Sequence, residues 1–266
     1  MGRLESVLRA ALPGEPARLA ALDAAVRAPL PLSTAVGVLG AGPDAPTAVV
    51  GGLLAAVLAA RRPHRVLAVA AQPARPGIGR QAGLDTSATP TDAQIANRAA
   101  AGSSAEATAG LAQAPGGSWV LDLAAEPARW WEAVAPISRF FDFVVTDWGA
   151  ASDLDDARAT SAVLLVVSGA NRTALQSAVD LAARLATPEV RPLLAVHDNG
   201  ADTERGMPAL AAANDAHWLP ADRALRTEPP TPSGRLRYGT STAVLELAAA
   251  VVRAAELRNE TEVAAR

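Results

Sequence analysis

The sequence predicts an α/β protein built on a doubly wound, mostly parallel sheet with helices on both faces. Three observations carry that expectation. Short, continuously apolar runs such as Thr34 to Leu39, Arg65 to Ala70, Phe141 to Thr146 and Ala162 to Val167 read as strands buried on both faces. Stretches of helical spacing alternate with them, as right-handed crossovers between parallel strands require. A glycine-rich loop, Gly40 to Thr47, joins the first strand to a helix, and such loops sit beyond the carboxyl ends of the strands.

In chain order, residues 1–30 form a helical extension with helices over Leu4 to Leu12 and Pro16 to Val26, separated by the breaker Leu12-Pro13-Gly14-Glu15-Pro16. The main domain is expected over residues 31–258, with a tail over 259–266. After the first strand and loop, a helix spans Thr47 to Arg61, and the second strand spans Arg65 to Ala70. The polar stretch Gln72 to Pro90 reads as loop, Asp92 to Ala114 as weakly helical, and Trp119 to Leu123 as a strand. Pro127 to Ile137 reads as a helix with Pro127 in its first turn. Strands follow at Phe141 to Thr146, ending at Asp147, and at Ala162 to Val167. Then come the helix Arg172 to Leu185, a strand over Arg191 to His197, a helix around Glu204 to Ala213, and a short strand, His217-Trp218-Leu219, before Pro220. Thr227 to Gly234 is a proline-rich loop. Thr242 to Leu257 places Val244, Leu245, Leu247, Ala248, Val251 and Val252 at helical spacing. This topology gathers Gly40–Thr47, Ala70–Pro73, Asp147–Ala150 and His197–Gly200 along one edge.

Composition narrows the function classes. With 266 residues, half of them hydrophobic, the chain buries a full core. A formal charge of −3 and no long basic run argue against nucleic acid as the partner. The lack of cysteine removes disulfides and thiolate metal sites and fits a reducing cytoplasm. Met1 to Glu5 does not open a signal-type apolar core, and the alanine-rich run Gly51 to Ala60 is too short to span a bilayer. A soluble cytoplasmic protein is the expectation. His64, His197 and His217 lack metal-ligand spacing, and Ser168 has no neighbouring base, so neither a metal centre nor a hydrolase triad is expected.

All 24 basic residues are arginine. The loop Gly40-Ala41-Gly42-Pro43-Asp44-Ala45-Pro46-Thr47 keeps the frame of the phosphate-binding pattern G-x-x-x-x-G-K-[ST] and keeps Thr47. It has Ala45 at the second glycine and Pro46 at the lysine. Pro46 removes the cation and one backbone donor together, and Asp44 puts a carboxylate where phosphate would sit. Losing the lysine and one amide costs roughly 2–4.5 kcal/mol of nucleotide binding, a factor of about 30 to 10³ in affinity. Arg75, Arg80, Arg172 and Arg205 lie near the expected edge, and no spacing selects one of them as a replacement.

These residues resemble the MinD/ParA family of deviant phosphate-loop ATPases over about Leu30 to Arg253. The family's first loop resembles G-K-G-G-x-G-K-[ST]; here Ala41 and Pro46 replace its two lysines. Its second strand ends in D-x-[DN]-P, here Ala70-Ala71-Gln72-Pro73, with only the proline retained. Phe141 to Ala150 resembles its strand ending in the Mg²⁺-side aspartate, here Asp147. Val196-His197-Asp198-Asn199 resembles its asparagine-bearing base-binding strand end, and Leu219-Pro220-Ala221-Asp222 resembles its V-P-x-D turn.

The resemblance implies a vestigial nucleotide site of Gly40, Gly42, Thr47, Asp147, Asn199 and Pro220, with no catalytic residue, no bound cofactor and no metal. It implies a pseudo-ATPase acting as a cytoplasmic scaffold in spatial positioning, or in assembling secretion or pilus machinery, as a homodimer or a heterodimer with an active relative. The alternatives are an ATPase with an unorthodox loop that binds ATP and Mg²⁺ weakly, and a small-molecule binder using the strand-end crevice. With the usual partners missing, Asp147 reads more simply as a strand-end cap and Thr47 as an ordinary helix start after Pro46. Trp130 and Trp131 cannot both point inward from one helical face, which makes them the candidate partner surface. Arg235 and Arg237 read as a solvated pair or a basic contact.

Overall fold

The computed structural model describes residues 14–72, 77–84, 89–150, 154–188, 190–226 and 236–264. One sheet runs through them. Its strands in chain order are β1 (Thr34–Gly40), β2 (Val66–Ala70), β3 (Ala112–Gln113), β4 (Trp119–Asp122), β5 (Phe143–Gly149), β6 (Val163–Gly169), β7 (Leu193–His197) and β8 (His217–Leu219). Across the sheet the order is β3-β4-β2-β5-β1-β6-β7-β8. Every pairing is parallel except that of β3 with β4.

The central strands carry valine, leucine, alanine and phenylalanine because both of their faces are covered. On one face α1 (Glu15–Arg27), α2 (Thr47–Arg61) and α11 (Tyr238–Ala264) pack over Val36, Val38, Ala68, Phe143, Val145 and Leu165. On the other, α4 (Asp92–Ala99), α6 (Trp130–Ala133), α7 (Ala135–Ser138) and α9 (Arg172–Leu185) cover Leu67, Val69, Leu121, Val144 and Leu164. Helix α10 (Met207–Ala213) closes the far end over Val196. Buried Arg62 ties α2 to the start of β5 by bonding Asp142 and the carbonyls of Val26 and Ala28. Helix α1 is pinned to α11 by Tyr238 Oη donating to Glu15 at 2.8 Å and by an Arg18–Glu246 ion pair.

Several local expectations are corrected. The stretch read as loop after β2 contains α3 (Ile78–Gln81). The segment 92–114 is no single helix but α4, α5 (Ser104–Ala107) and strand β3. Thr91 starts α4 with a reciprocal capping box to Gln94, and Ser103 restarts the chain by accepting the Glu106 N–H at 3.2 Å. Over 127–137 a 3₁₀ turn, Pro127–Arg129, precedes α6 and α7. Pro136 lacks the N–H that one continuous helix would need. Helix α8 (Leu154–Thr160) has no counterpart in the sequence expectation. The expected helix over Leu4 to Leu12 and the loop Thr227 to Gly234 lie outside the described residues.

Candidate functional site

The loop after β1 begins where Ala41 N–H reaches the Val167 carbonyl of β6 at 3.2 Å. Gly42 to Ala45 then closes a turn, with the Ala45 N–H on the Gly42 carbonyl at 3.1 Å and Pro43 in the second position that such turns favour. Pro46 follows with φ −81° and ψ 51°, and the Thr47 N–H bonds the Ala45 carbonyl at 2.8 Å. Those angles and that bond are an inverse γ-turn centred on proline. Three successive positions at the mouth of α2 therefore offer no backbone donor to a ligand. Ala45 and Thr47 have spent theirs inside the loop, and Pro46 has none. The loop also lies down on the strand it leaves, since a Cβ placed on Gly40 would come 2.8 Å from that of Ala45.

Beneath the loop, Thr47 and Asp147 are both fully buried and meet. The β1–β5 register places Val38 beside Asp147 and Leu39 beside Gly149, so Trp148 forms a bulge at the strand end. Asp147 Oδ1 accepts the Gly149 N–H at 3.1 Å, Oδ2 accepts Gln72 Nε2–H at 2.7 Å, and the Thr47 hydroxyl is a third partner. Burial pushes the Asp147 carboxyl up to about 6, against the pull of these three bonds. Among the described residues no arginine forms an ion pair with it. Gly149 has φ +62°, and a Cβ there would sit 2.4 Å from Gln72 Oε1, so glycine serves both the turn and the seat of the glutamine.

Farther along the same edge, the ends of β7 and β8 lie two and three strands from β1, roughly 10–15 Å away at the usual strand spacing. Asn199 Oδ1 accepts the N–H groups of Ala201 at 2.8 Å and Asp202 at 3.2 Å, folding the side chain into its own loop. Asp198 is engaged by the Gly200 N–H and the Thr203 hydroxyl. Asp222 accepts from the N–H groups of Ala224 at 3.0 Å and Arg237 at 2.7 Å. Pro220 follows β8, half-buried. His197 is buried with neither ring nitrogen bonded, and desolvation lowers it to about 4 while Asp198 opposes the shift.

The sheet thus puts Gly40, Gly42, Thr47 and Asp147 together and leaves Asn199 and Pro220 on the same edge but apart from them. Gln72 is the site residue that sequence reasoning missed. Its position in the turn after β2 was visible, but its reach to a side chain 75 residues away was not. Of the arginines near this edge, Arg172 is held by Glu204 at 2.8 Å, and Arg75 lies outside the described residues. Trp130 is buried, its Nε1–H bonded to Thr146 Oγ1 at 3.0 Å, whereas Trp131 is 51 % exposed. Among the described residues no three acidic or imidazole groups cluster as a metal site, and no helix is long and apolar enough to cross a membrane.

A parallel, doubly wound sheet whose first strand runs through a glycine-rich loop into a buried threonine, with an aspartate at the end of the adjacent strand, defines a protein of the phosphate-loop nucleoside triphosphatase fold. Solved structures that share it include MinD and ParA family ATPases. The chain superposes on the cell division ATPase MinD of Pyrococcus furiosus with a TM-score of 0.60 at 19% identity, covering 84% of this chain and 99% of that one. For a ParA family ATPase from Chlorobium tepidum the TM-score is 0.61 at 13% identity, over 81% and 98%. For MinD in the MinC:MinD complex of Aquifex aeolicus it is 0.60 at 15% identity, over 82% and 95%. No protein-family model matches the sequence, and no curated protein does. The likeness is one of fold, and it agrees with the resemblance that the strand-end residues carry.

Proposed function

We propose that this protein is a non-catalytic member of the MinD/ParA group, a cytoplasmic pseudo-ATPase that serves as a scaffold in positioning or assembling a larger machine. The observation that supports this most directly is the inverse γ-turn at Pro46. In a working loop, the backbone N–H groups and a lysine hold the β and γ phosphates. Here three successive donor positions are consumed or missing, and no lysine exists to supply charge. Chemistry is further disfavoured because one oxygen of the buried Asp147 is taken by the Gln72 amide, and neither Ala70 nor Gln72 supplies a base or neutralises charge in a transition state.

A fold kept intact while its reaction groups are replaced supports a binding role. The similar Aquifex structure is a complex of MinD with MinC, and a similar Borrelia burgdorferi structure is a plasmid partition protein. By that analogy this chain acts through protein partners, in a homodimer or beside an active relative. Titration with a fluorescent ATP analogue and Mg²⁺ tests the reading. No saturation below about 1 mM is expected. Micromolar binding with slow hydrolysis would instead establish the retained Thr47–Asp147 pair as a working Mg²⁺ side and sink the scaffold proposal.

A further inference from the structure

Trp131 is the single aromatic among the exposed large hydrophobic residues described, the others being Leu32 and Leu257. It is held in place rather than loosely attached. Its ring meets that of Trp130 edge to face, with centroids 5.4 Å apart at 83°. Trp130 is anchored to Thr146 and leans on Trp148 at 6.5 Å, the residue after Asp147. An indole presented by a rigid, buried neighbour loses little conformational entropy when a partner covers it.

The charged groups gathered on its neighbour Arg129 are negative on balance. Arg129, two residues earlier, bonds Asp92 at 2.8 Å, Glu126 at 3.2 Å and Glu132 at 3.4 Å. Three carboxylates share one guanidinium, leaving two formal negative charges in excess. The guanidinium is mostly covered, whereas the carboxylates stand out in solvent. Such a rim repels nucleic acid and anionic lipid headgroups. In a two-fold contact of this patch with its own copy, the rim would also face itself. A cation fits it, because an indole face attracts arginine and lysine.

We propose that Trp131 and the rim of Asp92, Glu126 and Glu132 form the docking site for a basic segment of a partner protein, one arginine or lysine seating on the indole and its neighbours pairing with the carboxylates. The inference rests on the scaffold reading for the need of a partner, but not on whether nucleotide binds.

The full chain is titrated into a fluorescein-labelled dodecapeptide of repeating Arg-Ala-Leu, and into the same peptide with glutamate for arginine. The basic peptide should bind at low salt and the acidic one should not. Trp131→Ala should weaken binding about three- to thirtyfold. Trp131→Phe should recover part of the loss, Glu126→Gln with Glu132→Gln should weaken binding similarly, and Leu257→Ala should leave it unchanged. The proposal falls if the basic peptide does not bind, or if Trp131→Ala leaves its affinity unchanged. It falls equally if Trp131→Ala dissociates a dimer in sedimentation, or if anionic vesicles bind through this residue. The ATP-analogue titration on Trp131→Ala separates the two readings: saturation there removes the pseudo-ATPase and leaves the docking site, whereas a silent peptide does the reverse.

Discussion

Gln72 donates its Nε2–H to Asp147 Oδ2 across 2.7 Å, placing an uncharged amide against a fully buried carboxylate. A buried carboxylate without a cation is expensive, which is why its carboxyl is pushed up to about 6. Gln72→Ala removes one of the bonds that make the group tolerable, and urea denaturation at pH 7 should report a loss of about 1–3 kcal/mol.

Asp147→Asn should act in the opposite direction. The folded carboxyl sits above its ordinary 3.8, so its contribution is fully present below that value and is lost as pH rises through about 6. At pH 7.5 the ionised form costs up to about 3 kcal/mol. The asparagine variant, with the Gln72 amide flipped to present its oxygen, should therefore be more stable than the parent at pH 7.5 and gain little at pH 4. Equal effects at both pH values would remove this account of Asp147.

His197 supplies the counterweight. Its folded value is depressed from 6.5 to about 4, so its contribution is present above 6.5 and is lost as pH falls through about 4. Over roughly pH 4 to 6 the two groups oppose each other, and together they should leave stability nearly flat. In His197→Leu, which also removes two unbonded buried nitrogens, the Asp147 trend is opposed only by His217, the other imidazole that burial depresses, and melting temperature should fall more as pH rises across that window than it does in the parent.

The loop can be tested by restoration. Ala45→Gly with Pro46→Lys returns a flexible position, a backbone donor and a cation, and should recover ATP-analogue affinity by about 30- to 10³-fold. Phosphate release should remain at the buffer level, because Ala70 and Gln72 are unchanged. An affinity no better than the parent's would show that the γ-turn does not govern the site.

The adjacent tryptophans should differ sharply in what they contribute to folding. Trp130→Ala empties a buried site and strands Thr146 Oγ1, a loss of about 3–5 kcal/mol in chemical denaturation. Trp131→Ala, which loses a half-exposed ring and its edge-to-face contact, should cost only about 0.5–1.5 kcal/mol.

The sequence by itself determined the fold class and the missing charge. Unbroken apolar runs such as Val163 to Val167 are compatible with strands covered on both sides, and a chain without lysine cannot fill the position of Pro46 with one, so both conclusions are local properties of the chain. Helix ends were legible where the stop signal was strong, as at Thr47 and Leu185, and not over 92–114, where weak helical spacing hid the caps at Thr91 and Ser103. Tertiary structure alone decided that Gln72 meets Asp147, that the Asn199 side chain turns back on its own loop, and which of Trp130 and Trp131 faces the solvent. Each of those depends on strand order and register, which bring distant segments within hydrogen-bonding reach, and periodicity along the chain does not encode them.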